Sequence, residues 1–159
     1  MVDVLTAEQR SFNMSRIRGR DTKPELTLRQ GLHALGFRFR LHRRDLPGRP
    51  DLVFVSRRAV IFAHGCFWHG HDCAMCRLPA TRPEFWTAKI ADNRTRDRQA
   101  EGKLRAAGWR VLIVWECALR GPARLPRNDV LTDCAVFLRS NQHLRCDIQG
   151  AWRQARETR

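Results

Sequence analysis

Between Ile61 and Cys73 the chain carries three histidines, two cysteines, an adjacent Phe67-Trp68 pair and two glycines. Closely spaced Cys and His on a turn are the donors that tetrahedral zinc takes. An imidazole changes charge near neutral pH and suits proton transfer, and aromatic rings offer faces on which bases can stack. The candidate zinc ligands are Cys66, His69, His71, Cys73, Cys76 and Cys117. If zinc takes Cys66, His71, Cys73 and Cys117, protein fills every position and the ion is structural, which leaves His64 and His69 free for chemistry. The spacing also admits Cys76 beside Cys73, and His69 in place of His71.

These residues need elements to position them. Leu46-Pro47-Gly48-Arg49-Pro50 is a turn that delivers Asp51 to the start of a strand, Leu52-Val53-Phe54-Val55, and Ser56-Arg57-Arg58 connects it to a second, Ala59-Val60-Ile61-Phe62-Ala63. In such an antiparallel hairpin Asp51 and His64 are expected near one another across the ladder. Phe37 to Leu41 alternates as a half-buried strand does. Trp109 to Trp115 is the most apolar strand and is expected at the centre of the sheet, with both tryptophans in the core.

Thr6-Ala7-Glu8-Gln9, Thr22-Lys23-Pro24-Glu25 and Thr81-Arg82-Pro83-Glu84 have the form of capping boxes. They predict helices over about 7–18, from Lys23 to a stop at Gly36, and from Pro83 to a stop at Gly108. Leu28, Leu32 and Leu35 mark the packed face of the second. A last helix is expected over about 128–138. From Ser140 onward no periodicity is visible, and a flexible tail is expected over 140–159.

The length of 159 residues suits one domain of ordinary size. Thirty Lys and Arg against sixteen Asp and Glu leave a charge of +14, which favours a polyanionic partner. No apolar run approaches the roughly 18 residues of a membrane span, and the first residues lack the pattern of a secretion signal. A cytoplasmic protein is expected. In a reducing compartment the six cysteines read as metal ligands or buried thiols, with Cys134 and Cys146 assigned to packing.

Four stretches taken together, Leu46 to Asp51, His64 to His69, Pro79 to Arg82 with Phe85-Trp86, and Gly108 to Leu119, resemble the very short patch repair DNA mismatch endonucleases. The similarity runs in order from about Asn13 to Gly121. It implies a restriction-endonuclease-like α/β core of the PD-(D/E)xK type: a central mixed β-sheet flanked by helices, with a structural zinc site and an N-terminal helical arm (1–20) ahead of one endonuclease domain (21–139). The implied reaction is a nick 5′ of the T in a T:G mismatch left by 5-methylcytosine deamination, in a bacterial cell.

The resemblance also implies the roles. Asp51 and the backbone carbonyl of Ala63 hold Mg²⁺; family members often carry Thr at the latter position, and alanine keeps the carbonyl. His69 is the general base, His64 stands in for the usual lysine, and Glu25 holds a histidine or a metal-bound water. Phe67, Trp68 and Trp86 wedge into the base stack, and Met14 enters from the minor groove. The expected partner is double-stranded DNA with a T:G mismatch, alongside other repair proteins and a repair polymerase, and the protein is expected to act as a monomer. The competing readings are a non-catalytic zinc-containing nucleic-acid-binding module, which would have no use for Asp51, His64 and His69 together, and a related nuclease with another target.

Overall fold

A computed structural model describes residues 6–9 and 21–151. Of the arm, the first capping box is present: Thr6 Oγ1 accepts from Gln9 N at 3.1 Å and Gln9 Oε1 from Thr6 N at 2.9 Å, and residues 7–9 are helical. The rest of the expected arm helix, Met14 included, lies outside the described residues.

Helix α1 (Lys23–Ala34) begins at Thr22, whose hydroxyl accepts from Glu25 N at 3.4 Å. It ends as its glycine predicts. Gly36 adopts φ +94°, its N–H reaches the His33 carbonyl, and Phe37 N–H reaches that of Leu32, which satisfies two otherwise orphaned carbonyls. Leu28 and Leu32 are fully buried, whereas Leu35 is not part of the packed face: as the capping residue it turns outward and is 47% exposed.

The sheet has the order β1 (Arg40–Leu41), β2 (Leu52–Phe54), β3 (Ala59–His64), β4 (Arg110–Trp115), β5 (Arg145–Ile148). The first two pairings are antiparallel and the last two parallel. Strand β1 is shorter than the alternation from Phe37 suggests; only its last two residues pair. The 3₁₀ turn Val55–Arg57 closes the hairpin, with Arg58 at φ +50°. The long helix α2 (Pro83–Ala106) joins β3 to β4; the single turn α3 (Glu116–Leu119) and then α4 (Arg127–Arg139) separate β4 from β5.

Strand alternation sorts the apolar side chains into two layers. Leu52, Phe54, Ala59, Ile61, Leu112 and Val114 face α1 and α4, while Val53, Val60, Phe62, Val111 and Ile113 pack with Leu104 of α2 and with Trp109. Each fully buried aliphatic contributes about 1.5–3 kcal/mol. The same parity puts Asp51, His64 and Trp115 on the α2 side.

Three further expectations need correction. Helix α2 does not use Thr81 as its cap: Arg82 takes that place at φ +56° without a side-chain bond, and its guanidinium lies 4.6 Å from the Phe85 ring centroid. Residues after Ser140 are not all tail, since Arg145–Ile148 form β5 and Arg145 Nε donates to Glu101 Oε2 of α2 at 2.7 Å. Trp109 is in the core, but Trp115 is half-buried and belongs to the site. Among the described residues no helix is long and apolar enough to cross a membrane.

Candidate functional site

Parallel register explains how Cys117 reaches a loop some fifty positions earlier. His64 pairs with Trp115, so the residues two beyond each, Cys66 and Cys117, leave the sheet side by side. The turn that follows β3 is pinned by His69 N–H to Gly65 O and His71 N–H to Cys66 O. It brings one ligand atom each from Cys66, His71, Cys73 and Cys117 within 4.8 Å of one another. Both Cys66 Sγ and Cys117 Sγ lie 3.6 Å from His71 Nδ1. His71 Nε2 meets Gln149 Oε1 at 2.9 Å, which fixes Nε2 as the protonated nitrogen and aims the Nδ1 lone pair at the sulfurs. The His71 ring stacks on Trp115, centroids 4.2 Å apart. Cys76 is outside this group, and so is His69.

His69 has a different partner. Its Nδ1 lies 2.6 Å from Asp97 Oδ2 on α2, so the carboxylate accepts a hydrogen bond from Nδ1–H and the Nε2 lone pair is left as the basic site. The ring lies flat against His64, centroids 3.7 Å apart and planes 1° apart. Two imidazolium ions cannot occupy that stack. His64 is the one held neutral: burial, then the adjoining His69, push it down to about 3, and its Nδ1 has no hydrogen-bond partner among the described residues. A neutral His64 brings an N–H dipole rather than the charge of the lysine it was expected to replace.

Asp51 sits opposite Phe62 by register and grips the next residue on β3: its Oδ2 accepts from Ala63 N at 2.7 Å. Burial raises its carboxyl to about 6, opposed by that bond. Asp51, Ala63, His64 and His69 line one cavity of about 430 Å³, walled by Asn93, Arg96 and Asp97 of α2. The expected proximity of Asp51 and His64 is therefore met through a shared cavity rather than a direct contact.

Buried His64 and half-buried Asp51 give opposite pH dependences. Below about 6.5 the unfolded chain protonates His64 while the fold does not, so this residue destabilises the fold as pH falls; Asp51 is protonated in the fold between about 6 and 4 while the unfolded chain releases that proton, so it stabilises on acidification. Relative to wild type, His64→Asn should gain about 2 kcal/mol and Asp51→Asn lose about 1 kcal/mol on going from pH 7 to pH 5 in Mg²⁺-free buffer. Urea unfolding at both pH values checks this. Parallel pH profiles for all three proteins would contradict the assigned burial.

Glu25, fully buried on α1, lies against a histidine, but that histidine is His42 and not a member of the pair above. Its Oε1 lies 2.5 Å from both Arg29 Nη2 and His42 Nε2, and its Oε2 accepts from Asp21 N at 2.9 Å. Sequence reasoning missed His42 and Asp97. A lone histidine in a basic turn and a lone acid in an arginine-rich helix carry no spacing signal.

Phe67, Trp68 and Trp86 form one half-buried cluster, with ring centroids 5.1–5.9 Å apart, and Phe85 extends it at 5.2 Å from Trp86. Asn93 Nδ2 donates to the Trp68 carbonyl at 2.9 Å and fastens the loop to α2. Phe85 is 43% exposed at the outer edge of this cluster.

Residues 2–75 match the family model described as DNA mismatch endonuclease Vsr. The chain is similar to DNA mismatch endonuclease Vsr of Escherichia coli, 50% identical over 133 residues, 84% of this chain and 85% of that protein. It is likewise similar to a Type II nicking enzyme, V.XorIIP, of Xanthomonas oryzae, 53% identical over 119 residues, 75% and 88% of the two chains. A second such enzyme, V.NmeAIP of Neisseria meningitidis, is 41% identical over 123 residues, 77% and 88%.

Proposed function

The chain belongs to the DNA mismatch endonuclease Vsr family, and from that premise we propose that it nicks duplex DNA 5′ of the T in a T:G mismatch, with Mg²⁺ at Asp51 and a structural Zn²⁺ in the Cys66, His71, Cys73, Cys117 cluster. The observation that carries this reading is the convergence of Asp51, His64 and the Asp97-held His69 on one cavity beside the aromatic cluster.

The donor sets suit the two ions. Zinc bonds of about 2.3 Å to sulfur and 2.1 Å to nitrogen give a tetrahedral S···N edge of about 3.6 Å, the spacing of both Sγ···Nδ1 pairs. With four protein donors no position is left for water, so this ion would hold the loop rather than react. Asp51 is a half-buried carboxyl whose Oδ2 is occupied by Ala63 N–H and whose Oδ1 lies 3.8 Å from His42 Nε2, beyond hydrogen-bond range. That oxygen and the Ala63 carbonyl are the hard donors Mg²⁺ prefers. When bound, Mg²⁺ supplies Lewis-acid polarisation of the scissile phosphate and neutralises charge on the leaving oxygen.

The side chains perform the remaining steps. His69 Nε2 removes the proton of the attacking water, and Asp97 on Nδ1 fixes the tautomer and stabilises the imidazolium that forms. Neutral His64, stacked on that ring, keeps it in plane and presents an N–H dipole to phosphate or water. Arg49 and Arg96 on the cavity wall neutralise DNA phosphate. Phe67, Trp68 and Trp86 unstack the bases beside the mismatch, which costs a few kcal/mol per step and least at a weakened pair.

A labelled duplex with one T:G pair, run beside T:A and C:G controls with and without Mg²⁺, tests the reading. A single Mg²⁺-dependent nick beside the mismatched T is expected. Binding without a cut by zinc-loaded protein across several flanking sequences would favour the binding-module reading instead.

A further inference from the structure

His42 stands in an uncommon backbone conformation at the end of β1. Its φ of +47° lies in the left-handed region, which costs a non-glycine residue about 1 kcal/mol or more. Its N–H donates to the Asp51 carbonyl at 3.3 Å and so extends the β1–β2 ladder one step beyond Leu41 and Leu52. The same backbone geometry turns the imidazole inward, between two carboxylates. Nε2 lies 2.5 Å from Glu25 Oε1, yet off the line of a hydrogen bond, and 3.8 Å from Asp51 Oδ1.

That placement sets the ring between the two acids, against Glu25 and 3.8 Å from Asp51 Oδ1. Glu25 is already fastened by Arg29 and by the Asp21 amide, so it is the fixed partner. Among the described residues the Asp51 carboxylate accepts a hydrogen bond at Oδ2 alone, from the Ala63 amide. Two carboxylates facing one another in a buried site repel, and the imidazole is the group interposed between them.

We propose that His42 is a positioning residue of the catalytic centre: it ties Asp51 to the anchored Glu25 on α1 and holds Asp51 Oδ1 where it can take a divalent cation. The inference rests on the reading of Asp51 as a metal ligand. Residues that orient a ligand typically change metal affinity by roughly ten- to a hundredfold when removed.

Two variants separate the ring from the backbone. His42→Ala removes the imidazole and keeps the strain, while His42→Gly removes both, since glycine adopts positive φ without penalty. Each full-length variant is titrated with Mn²⁺ by electron paramagnetic resonance on an uncleavable mismatched duplex, and its Mg²⁺ requirement for nicking is measured. Both should bind Mn²⁺ roughly tenfold more weakly and need correspondingly more Mg²⁺, while duplex affinity in metal-free buffer stays at the wild-type value and His42→Gly melts no lower than His42→Ala. A His42→Gly protein with wild-type Mn²⁺ affinity would overturn the proposal, as would a defect confined to thermal stability or DNA affinity. If wild type shows no Mn²⁺ site that Asp51→Ala removes, the metal reading fails first and takes this inference with it.

Discussion

Replacing Asp51 with alanine should lower the nicking rate by roughly a thousandfold or more, because the variant loses the one carboxylate proposed to hold the cation that polarises the phosphate. Binding to a mismatched duplex should persist: the aromatic cluster and the wall arginines do not touch Asp51 Oδ1. The fold should persist as well, with the Ala63 amide losing its acceptor at a cost of about 1–3 kcal/mol. Single-turnover cleavage, gel-shift affinity and thermal melting on one preparation would report the three quantities separately. Residual cleavage within tenfold of wild type would exclude Asp51 as the metal-binding acid.

The second large effect concerns the sulfur cluster. Purified protein should contain about one zinc per chain, and Cys117→Ser should melt about 10 °C lower or aggregate on purification, since losing several kcal/mol of metal-linked stability shifts a domain of this size by that much. Tryptophan fluorescence should change with it, because Trp115 stacks on His71 and loses that partner when the ligand swings free. Nicking should vanish too: Phe67, Trp68 and His69 all lie between the proposed ligands Cys66 and His71. A zinc-free preparation that melts and cuts like the native one would remove the structural ion from the account.

Much of this site was legible in the sequence because its donors are rare residue types crowded together. Cys66, His71 and Cys73 announce a turn with ligands, and Cys117 follows the most apolar strand, where parallel register returns it to Cys66. Glycines at 36 and 108 mark helix ends because only the left-handed region closes those turns cheaply. What stayed hidden depends on tertiary placement. Asp97 becomes meaningful only when α2 crosses His69, and His42 only when the β1–β2 ladder runs one residue further than its alternation suggests. Strand β5 escaped notice because Arg145 to Ile148 has a single buried apolar residue, Ile148, at the sheet edge. Arg82 stands at the helix cap in place of Thr81, with its side chain over Phe85, a contact that no spacing in the sequence announces.

Surface loops ordinarily drift in length as families diverge, but the segment from Cys66 to His71 has no such freedom. Its two ends converge on one cluster, and its amides at 69 and 71 are already spent on the carbonyls of Gly65 and Cys66. Inserting or deleting one residue there would rotate His69 away from Asp97 and displace Trp68 from Asn93 in the same stroke. Diversification of this hoop is therefore restricted to substitution in place, and an engineer seeking a new preference would do better to vary Phe85 and its neighbours on α2 than to change the loop's length.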